Sequence, residues 1–264
     1  AGTHAKISTG PRSTKFGIST KQGEAASLYT KIDSDPHMKP MGLAVHIGSQ
    51  ICDLAPFDQA YSALLDVANE LRAGGLDVPC LDLGGGVGVD YKQAGDVDFS
   101  AYGALVTHLF KGSGFALGFE PGRAITANNG ALLTEVIYVK QGDNKRFVIV
   151  DAAMNDLIRP TLYDAYHPIV TLAPPQNAIG KADIVGPVCE TGDYLGLNRE
   201  MPALAAGDKL AVLSAGAYGA VMASAYNTRP PAGEVLVHDG KAYLLRPARS
   251  LTSLLAEEII PVFK

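Results

Sequence analysis

The sequence has only three cysteines, Cys52, Cys80 and Cys189, and no Cys-x-x-Cys pair. An odd, unpaired set excludes a disulfide framework and fits a reducing cytoplasm. The histidines are scattered, so no clustered His/Cys set offers itself to zinc and no metal site is expected. Basic runs are absent and the net charge is −5, which argues against nucleic acid as a partner. Long hydrophobic runs are missing too. Stretches such as Leu210–Leu213 are far too short to cross a bilayer, so no membrane span is expected. No secretory signal opens the chain. It begins at Ala1 without Met and runs into Gly-Thr-His-Ala-Lys, as a segment of something longer would.

What is present is a globular composition. The 264 residues are 47% hydrophobic with 29 Gly and 16 Pro, enough for a buried core with many turns in one large or two ordinary domains. Residues 41–123 repeat one theme. Met41–Gly48 reads as a buried strand, Ala55–Ala73 as a helix with apolar residues at 60, 64, 67, 68 and 71, and Val78–Leu83 as a second strand. Asp98–Lys111 reads as a second helix capped by Ser100, and Phe115–Phe119 as a third strand, with Lys15–Ile18 a candidate fourth. That alternation implies parallel strands with right-handed crossovers.

From residue 128 the texture becomes β. Ala131–Lys140, Arg146–Val150, Leu210–Leu213, Glu234–His238 and Lys241–Leu245 read as strands, with turn signals at 143–144 and 239–240. Ala217–Ala225 and Ser250–Glu258 read as helices. The expected organisation is an α/β unit over 1–127 and a mostly antiparallel β domain over 128–264. A closed (β/α)8 barrel takes about 250 residues, so the first unit is either an open sheet or a barrel whose first half is absent.

Each parallel strand ends in a polar, glycine-containing motif, and chemistry at such ends is the habit of barrels and open α/β sheets. Gly84-Gly85-Gly86 suits backbone N–H groups approaching an anion, or simply a tight turn. Ser49 can add a hydroxyl donor. Glu120 and Arg123, flanking Pro121-Gly122, suit a protonated heterocyclic nitrogen and an anion, or a surface ion pair. His46 is either a hydrogen-bonded strand-end residue or a ring to stack on a ligand. In the string Val188-Cys189-Glu190-Thr191-Gly192-Asp193, Cys189 is a candidate proton donor, against the inert thiol that most lone cysteines are. Arg159 and Tyr163 can grip a carboxylate or belong to a solvated loop. Tyr218, between Gly216 and Gly219, offers a phenol or packs.

Taken in order and spacing, HIGSQ (46–50), LDLGGGVG (81–88), EPGR (120–123), CETGD (189–193) and GAYG (216–219) resemble the pyridoxal-phosphate-dependent decarboxylases of the alanine-racemase-like fold (type III), the diaminopimelate decarboxylases in particular. The resemblance covers essentially the whole chain, from Ala5–Gly10 and Lys15-Phe16-Gly17 onward. It implies the carboxyl-terminal strands and helices of a cofactor-binding (β/α)8 barrel followed by an antiparallel β-barrel or sandwich domain. His46 would stack on the pyridine ring and Glu120 would pair with its nitrogen. Ser49, Gly85, Gly86, Gly122, Arg123 and Tyr218 would hold the phosphate and its surroundings. Arg123, Arg159, Tyr163, Glu190 and Tyr218 would bind the distal amino-acid group of meso-diaminopimelate, and Cys189 would supply the proton that replaces CO2. The family's active unit is a cytoplasmic homodimer in which Cys189 and Glu190 would reach the partner's site.

The substrate chemistry asks for the same equipment. Diaminopimelate has two zwitterionic ends and only one is to lose CO2, so an Arg for the retained carboxylate and an acid for the retained ammonium are needed; Arg159 and Glu190 supply them. Related ornithine decarboxylases carry Cys-Asp where Cys189-Glu190 stands, which favours diaminopimelate over ornithine or arginine. One element departs from the family: none of the thirteen lysines has the neighbours of the cofactor-anchoring lysine. That lysine and the first barrel strands are expected before Ala1, so these residues alone should be inactive. A non-catalytic homologue serving as a binding partner is the alternative.

Overall fold

The computed structural model describes residues 15–19, 23–92, 97–173 and 180–263. The Ala5–Gly10 motif, Lys6 included, lies outside them. The chain divides into two compact units, Ala1–Ile125 and Thr126–Lys264.

In the first unit, β1 (Gly42–Ala44), β2 (Cys80–Asp82) and β3 (Ala116–Gly118) form a parallel sheet in the order β1-β2-β3. Its register sets Gly42 beside Cys80 and Cys80 beside Ala116. All three strands therefore end level with one another. Helices α1 (Glu24–Asp33), α2 (Ala55–Ala73) and α3 (Phe99–Phe110) accompany them. Helix α2 buries Phe57, Tyr61, Leu64, Ala68 and Leu71, a stripe at three- and four-residue spacing. Ala60 and Val67 lie on its flank, half-buried. Arg72 fixes the end of α2: its Nε and Nη2 donate to Val78 O, its Nη1 to Ser113 O, and it stacks 3.5 Å from the Phe115 ring centroid. The segments that lead into β2 and β3 are thereby held together.

Two expectations for this unit are corrected. The cap of α3 is Asp98, whose Oδ1 accepts from Ala101 N at 2.9 Å. Ser100 is already inside the first turn, whereas a cap must stand ahead of it in extended backbone. Lys15–Ile18 forms no strand; Gly17 turns the chain with φ 72°.

The second unit is built on a six-stranded sheet of β4 (Leu132–Gln141), β5 (Arg146–Val150), β6 (Ile169–Thr171), β7 (Gly180–Val185), β8 (Tyr194–Met201) and β9 (Lys209–Val212), in the order β6-β9-β4-β5-β7-β8. All neighbours are antiparallel except β5 and β7. The sheet curls until its edges approach, since the side chain of Ile169 on β6 reaches Gly196 on β8. Val136, Val148, Val150, Ile184, Leu195, Leu210 and Val212 fill the interior. A separate hairpin pairs β10 (Glu234–His238) with β11 (Lys241–Arg246) through Asp239-Gly240, at φ 50° and 71°. Both turn residues are left-handed, as a two-residue hairpin of this twist demands. Short helices α4 (Gly122–Thr126), α5 (Arg159–Tyr163) and α6 (Leu251–Leu255) complete the structure.

The expected helix over Ala217–Ala225 is replaced by isolated single turns at Ala220–Met222 and Tyr226–Thr228. Positive φ at Tyr218, Asn227 and Thr228 interrupts any continuous helix.

Candidate active site

The strand ends of the first unit converge. Val45 N donates to Asp82 O, Leu83 N to Gly118 O and Glu120 N to Gly84 O, so the three polar motifs are laced side by side. The glycines make that possible. A Cβ on Gly85 would lie 2.2 Å from Glu120 O, and one on Gly84 would lie 2.1 Å from Val45 O. Among the described residues, the N–H groups of Gly85 and Gly86 meet no acceptor. Gly85 is buried, and a buried donor in that state costs free energy unless a ligand takes it.

Arg123 is buried, with Nη1 donating to the Tyr91 hydroxyl at 2.9 Å and Nη2 to Ser49 Oγ at 3.0 Å. Ser49 accepts in that contact, so its own O–H is directed elsewhere as a donor. Gly122 N donates to Glu120 O at 2.9 Å, which closes the Glu-Pro-Gly turn. The side chains of His46 and Glu120 are exposed at the ends of their strands. A cation, a hydroxyl and two backbone N–H groups sit at one end of the sheet with a carboxylate and an imidazole. A phosphate monoester attached to a protonatable aromatic ring matches that donor set.

In the second unit, Arg159 opens α5, with Pro160 following in its first turn, and Tyr163 closes it. The loop carrying Cys189 and Glu190 is fastened against this helix. Thr161 Oγ1 donates to Gly192 O at 2.5 Å. The buried Asp193 carboxylate accepts from Met154 N and from Val188 N, each at 2.7 Å. Burial pushes the Asp193 carboxyl above the ordinary carboxylate range, the Met154 and Val188 N–H groups and Arg229 pull it back, and Glu190 adds to the rise. Cys189 and Glu190 themselves are exposed. Glu190 Oε2 accepts from the Tyr226 hydroxyl at 2.7 Å, and that bond together with the Glu190 charge raises the Tyr226 phenol above its usual value.

A second set of ties holds the neighbouring segments. Arg229 Nε donates to Asn155 Oδ1 at 3.0 Å, and Asn155 Nδ2 donates to Ser224 O at 3.2 Å. Tyr218 is held at φ 57° between Ala217 and Gly219 with its ring partly exposed. Left-handed backbone at a bulky residue is strained, and such strain concentrates at ligand sites. Gly216 and Gly219 permit it, because a Cβ on either would strike Thr126 O at 2.0 Å or Ala215 O at 2.2 Å.

The expected residues thus divide between the units: His46, Ser49, Gly85, Gly86, Glu120, Gly122 and Arg123 lie in the first, and Arg159, Tyr163, Cys189, Glu190 and Tyr218 in the second. Sequence reasoning overlooked Tyr91, Thr161, Asp193 and Tyr226. Asp193 ends a recognised motif and its tight spacing to Glu190 was a usable signal; the others had none.

Over residues 26–216 the chain matches the profile of a family described as pyridoxal-dependent decarboxylase, C-terminal sheet domain. It is 50% identical over 258 residues to the diaminopimelate decarboxylase of Zymomonas mobilis, covering 97% of this chain and 61% of that protein. Against the Vibrio cholerae diaminopimelate decarboxylase the identity is 47%, with 62% of that protein covered. The crystal structure of the Helicobacter pylori diaminopimelate decarboxylase complexed with L-lysine superposes with a TM-score of 0.91 at 39% identity, over 97% of this chain and 63% of that one. The lysine decarboxylase of Selenomonas ruminantium is more distant, with a TM-score of 0.74 at 26% identity over 84% of this chain and 59% of that one. The chain therefore spans about three fifths of these relatives' length, and it belongs to the family of pyridoxal-dependent decarboxylases.

Proposed function

We propose that the protein containing these residues decarboxylates meso-2,6-diaminopimelate to L-lysine with pyridoxal 5′-phosphate. The observation that carries this reading is the strand-end donor set of Arg123, Ser49 and the Gly85 and Gly86 N–H groups, which suits a phosphate-bearing cofactor, with Arg159 and Glu190 available to the substrate. A cation and an acid are what a second, retained zwitterionic end requires. Likeness over nearly the whole chain to enzymes named diaminopimelate decarboxylase supports it. In this reading the first unit is the carboxyl-terminal part of a (β/α)8 barrel, with residues 1–127 and 128–264 as the domains, the second an antiparallel β-barrel or sandwich. The working enzyme is a cytoplasmic homodimer in which Cys189 and Glu190 serve the partner's site.

The donor set at the strand ends fits the cofactor. Ser49, Gly85, Gly86, Arg123 and Tyr218 would hold its phosphate, the Gly122 turn would set Arg123, His46 would stack on its ring and Glu120 would accept the ring N–H. When bound, the cofactor supplies an electron sink for the carbon that loses CO2. Arg159 binds the retained carboxylate, Tyr163, Tyr218 and Arg123 are further residues for the distal group, and Glu190 takes the retained ammonium. Tyr226, donating to Glu190, keeps that carboxylate aimed. Exposed on its loop, the Cys189 thiol would deliver a proton to the carbon that has lost CO2.

The test is CO2 release by the full-length protein from meso-diaminopimelate, L-ornithine and L-arginine. Release from diaminopimelate alone supports the proposal; comparable turnover of ornithine or arginine moves the assignment to a general basic-amino-acid decarboxylase. No release from any of the three favours the non-catalytic alternative.

A further inference from the structure

His167 is fully buried between α5 and β6, yet it is polar and no motif singles it out. Its position is fixed by the sheet. Leu213 N donates to Pro168 O at 2.8 Å, and Ile169 pairs with Val212 in the β6–β9 register. His167 Nδ1 stands 3.0 Å from Leu213 O, and Nε2 stands 2.8 Å from Arg159 Nη1.

These two partners settle where the proton sits. A carbonyl oxygen only accepts, so Nδ1 carries the hydrogen. A guanidinium only donates, so Nε2 presents its lone pair. The imidazole is therefore the neutral Nδ1–H tautomer, and Arg159 donates to it. A neutral acceptor has a consequence that a carboxylate in the same place would not. It holds the guanidinium plane in one orientation without adding a negative charge beside it.

We propose that His167 is a positioning residue of the substrate-carboxylate site: through its Nε2 it fixes the Arg159 fork in the orientation that receives the carboxylate retained in the product. The inference rests on the reading of Arg159 as the residue that binds that carboxylate. It separates ligands by one group. L-Lysine carries the carboxylate, and 1,5-diaminopentane is the same chain without it.

The test uses the full-length enzyme loaded with cofactor and measures dissociation constants of both compounds. His167→Asn keeps a donor for Leu213 O but falls short of Arg159, and is expected to weaken L-lysine about tenfold or more while leaving 1,5-diaminopentane within about twofold. His167→Gln places an acceptor oxygen near the position of Nε2 and is expected to restore L-lysine binding to within about threefold of the parent. A purely structural role would weaken both ligands together, and that result overturns the proposal, as does a Gln variant no better than Asn. Arg159→Ala separates the two levels. If it leaves L-lysine binding intact, the assignment of Arg159 itself fails; if it weakens L-lysine while His167→Asn does not, only the role of His167 fails. Should the Asn variant not fold, His167→Gln against His167→Met decides in the same way, since Met fills the space without an acceptor.

Discussion

Asp193 gives the sharpest quantitative handle on the loop that carries Cys189 and Glu190. Its carboxylate accepts from Met154 N in a buried setting and from Val188 N in a partly buried one, both at 2.7 Å. Asp193→Ala removes both acceptors at once. An orphaned buried N–H costs about 1–3 kcal/mol, and the half-exposed Val188 N–H, which water can reach, about 1 kcal/mol or less. Against this stands the relief of no longer burying a carboxyl that burial already pushes upward, which trims the loss. The net expectation is a loss of about 2 kcal/mol, with Asp193→Asn, which keeps one acceptor, costing about half as much. Urea unfolding of the full-length protein reads the total. Hydrogen exchange across residues 186–194 reads the locality, and should rise far more there than in β4 or β5. Turnover should fall with it, because the loop no longer holds Cys189. A loss below about 0.5 kcal/mol with unchanged exchange would refute the argument that Asp193 anchors this loop.

The strand-end site can be probed from its packing. Gly85→Ala sets a Cβ 2.2 Å from the Glu120 backbone carbonyl oxygen, which no side-chain rotation relieves, so it should cost at least about 1–3 kcal/mol and lower cofactor affinity as Glu120 shifts; an unchanged urea midpoint would contradict this. Arg123→Lys cannot bridge Tyr91 and Ser49 together, and cofactor affinity by fluorescence titration should drop about tenfold, more than for Ser49→Ala. Equal affinity in parent and Lys variant would remove Arg123 from the phosphate site. Burial raises the Asp156 carboxyl, opposed by the Ala153 N–H and Arg229 and assisted by Asp151 and Asp193. A raised carboxyl contributes stability below its unfolded pKa and loses it as pH rises through the folded value. Asp156→Asn, measured by thermal unfolding, should therefore gain on the parent as pH rises above about 4; a gap that narrows as pH rises would reverse the assignment.

Much of this was legible in the residues. Helix α2 has the bounds that its apolar spacing predicts, and the short apolar runs of β5 and β10 likewise match, because a turn signal stands next to each. The three parallel strands are shorter than their apolar runs suggest, since Met41, Val45 and Phe119 continue beyond the paired residues. Strands β7 and β8 escaped notice because charges sit within them. Asp183 is buried on β7 with Lys145 at 2.7 Å, and Arg199 on β8 stacks 3.6 Å from the Tyr166 ring centroid. Those partners lie far along the chain, so local alternation fails where tertiary pairing takes over. His167 was missed for the same reason, as its carbonyl partner is 46 residues away. By sequence the motif glycines suit an anion cradle or a tight turn, whereas their tightest constraint is the close lacing of neighbouring strand ends.

The central claim is that the strand ends of the first unit's parallel sheet bind the cofactor phosphate while Arg159 of the second unit binds the retained carboxylate. A crystal structure of the full-length protein with pyridoxal phosphate and L-lysine tests it most directly. The account predicts phosphate oxygens on Ser49 and the Gly85–Gly86 N–H groups, with the lysine carboxylate on Arg159. A phosphate seated away from those strand ends, or a lysine carboxylate held by some other cation, would contradict it.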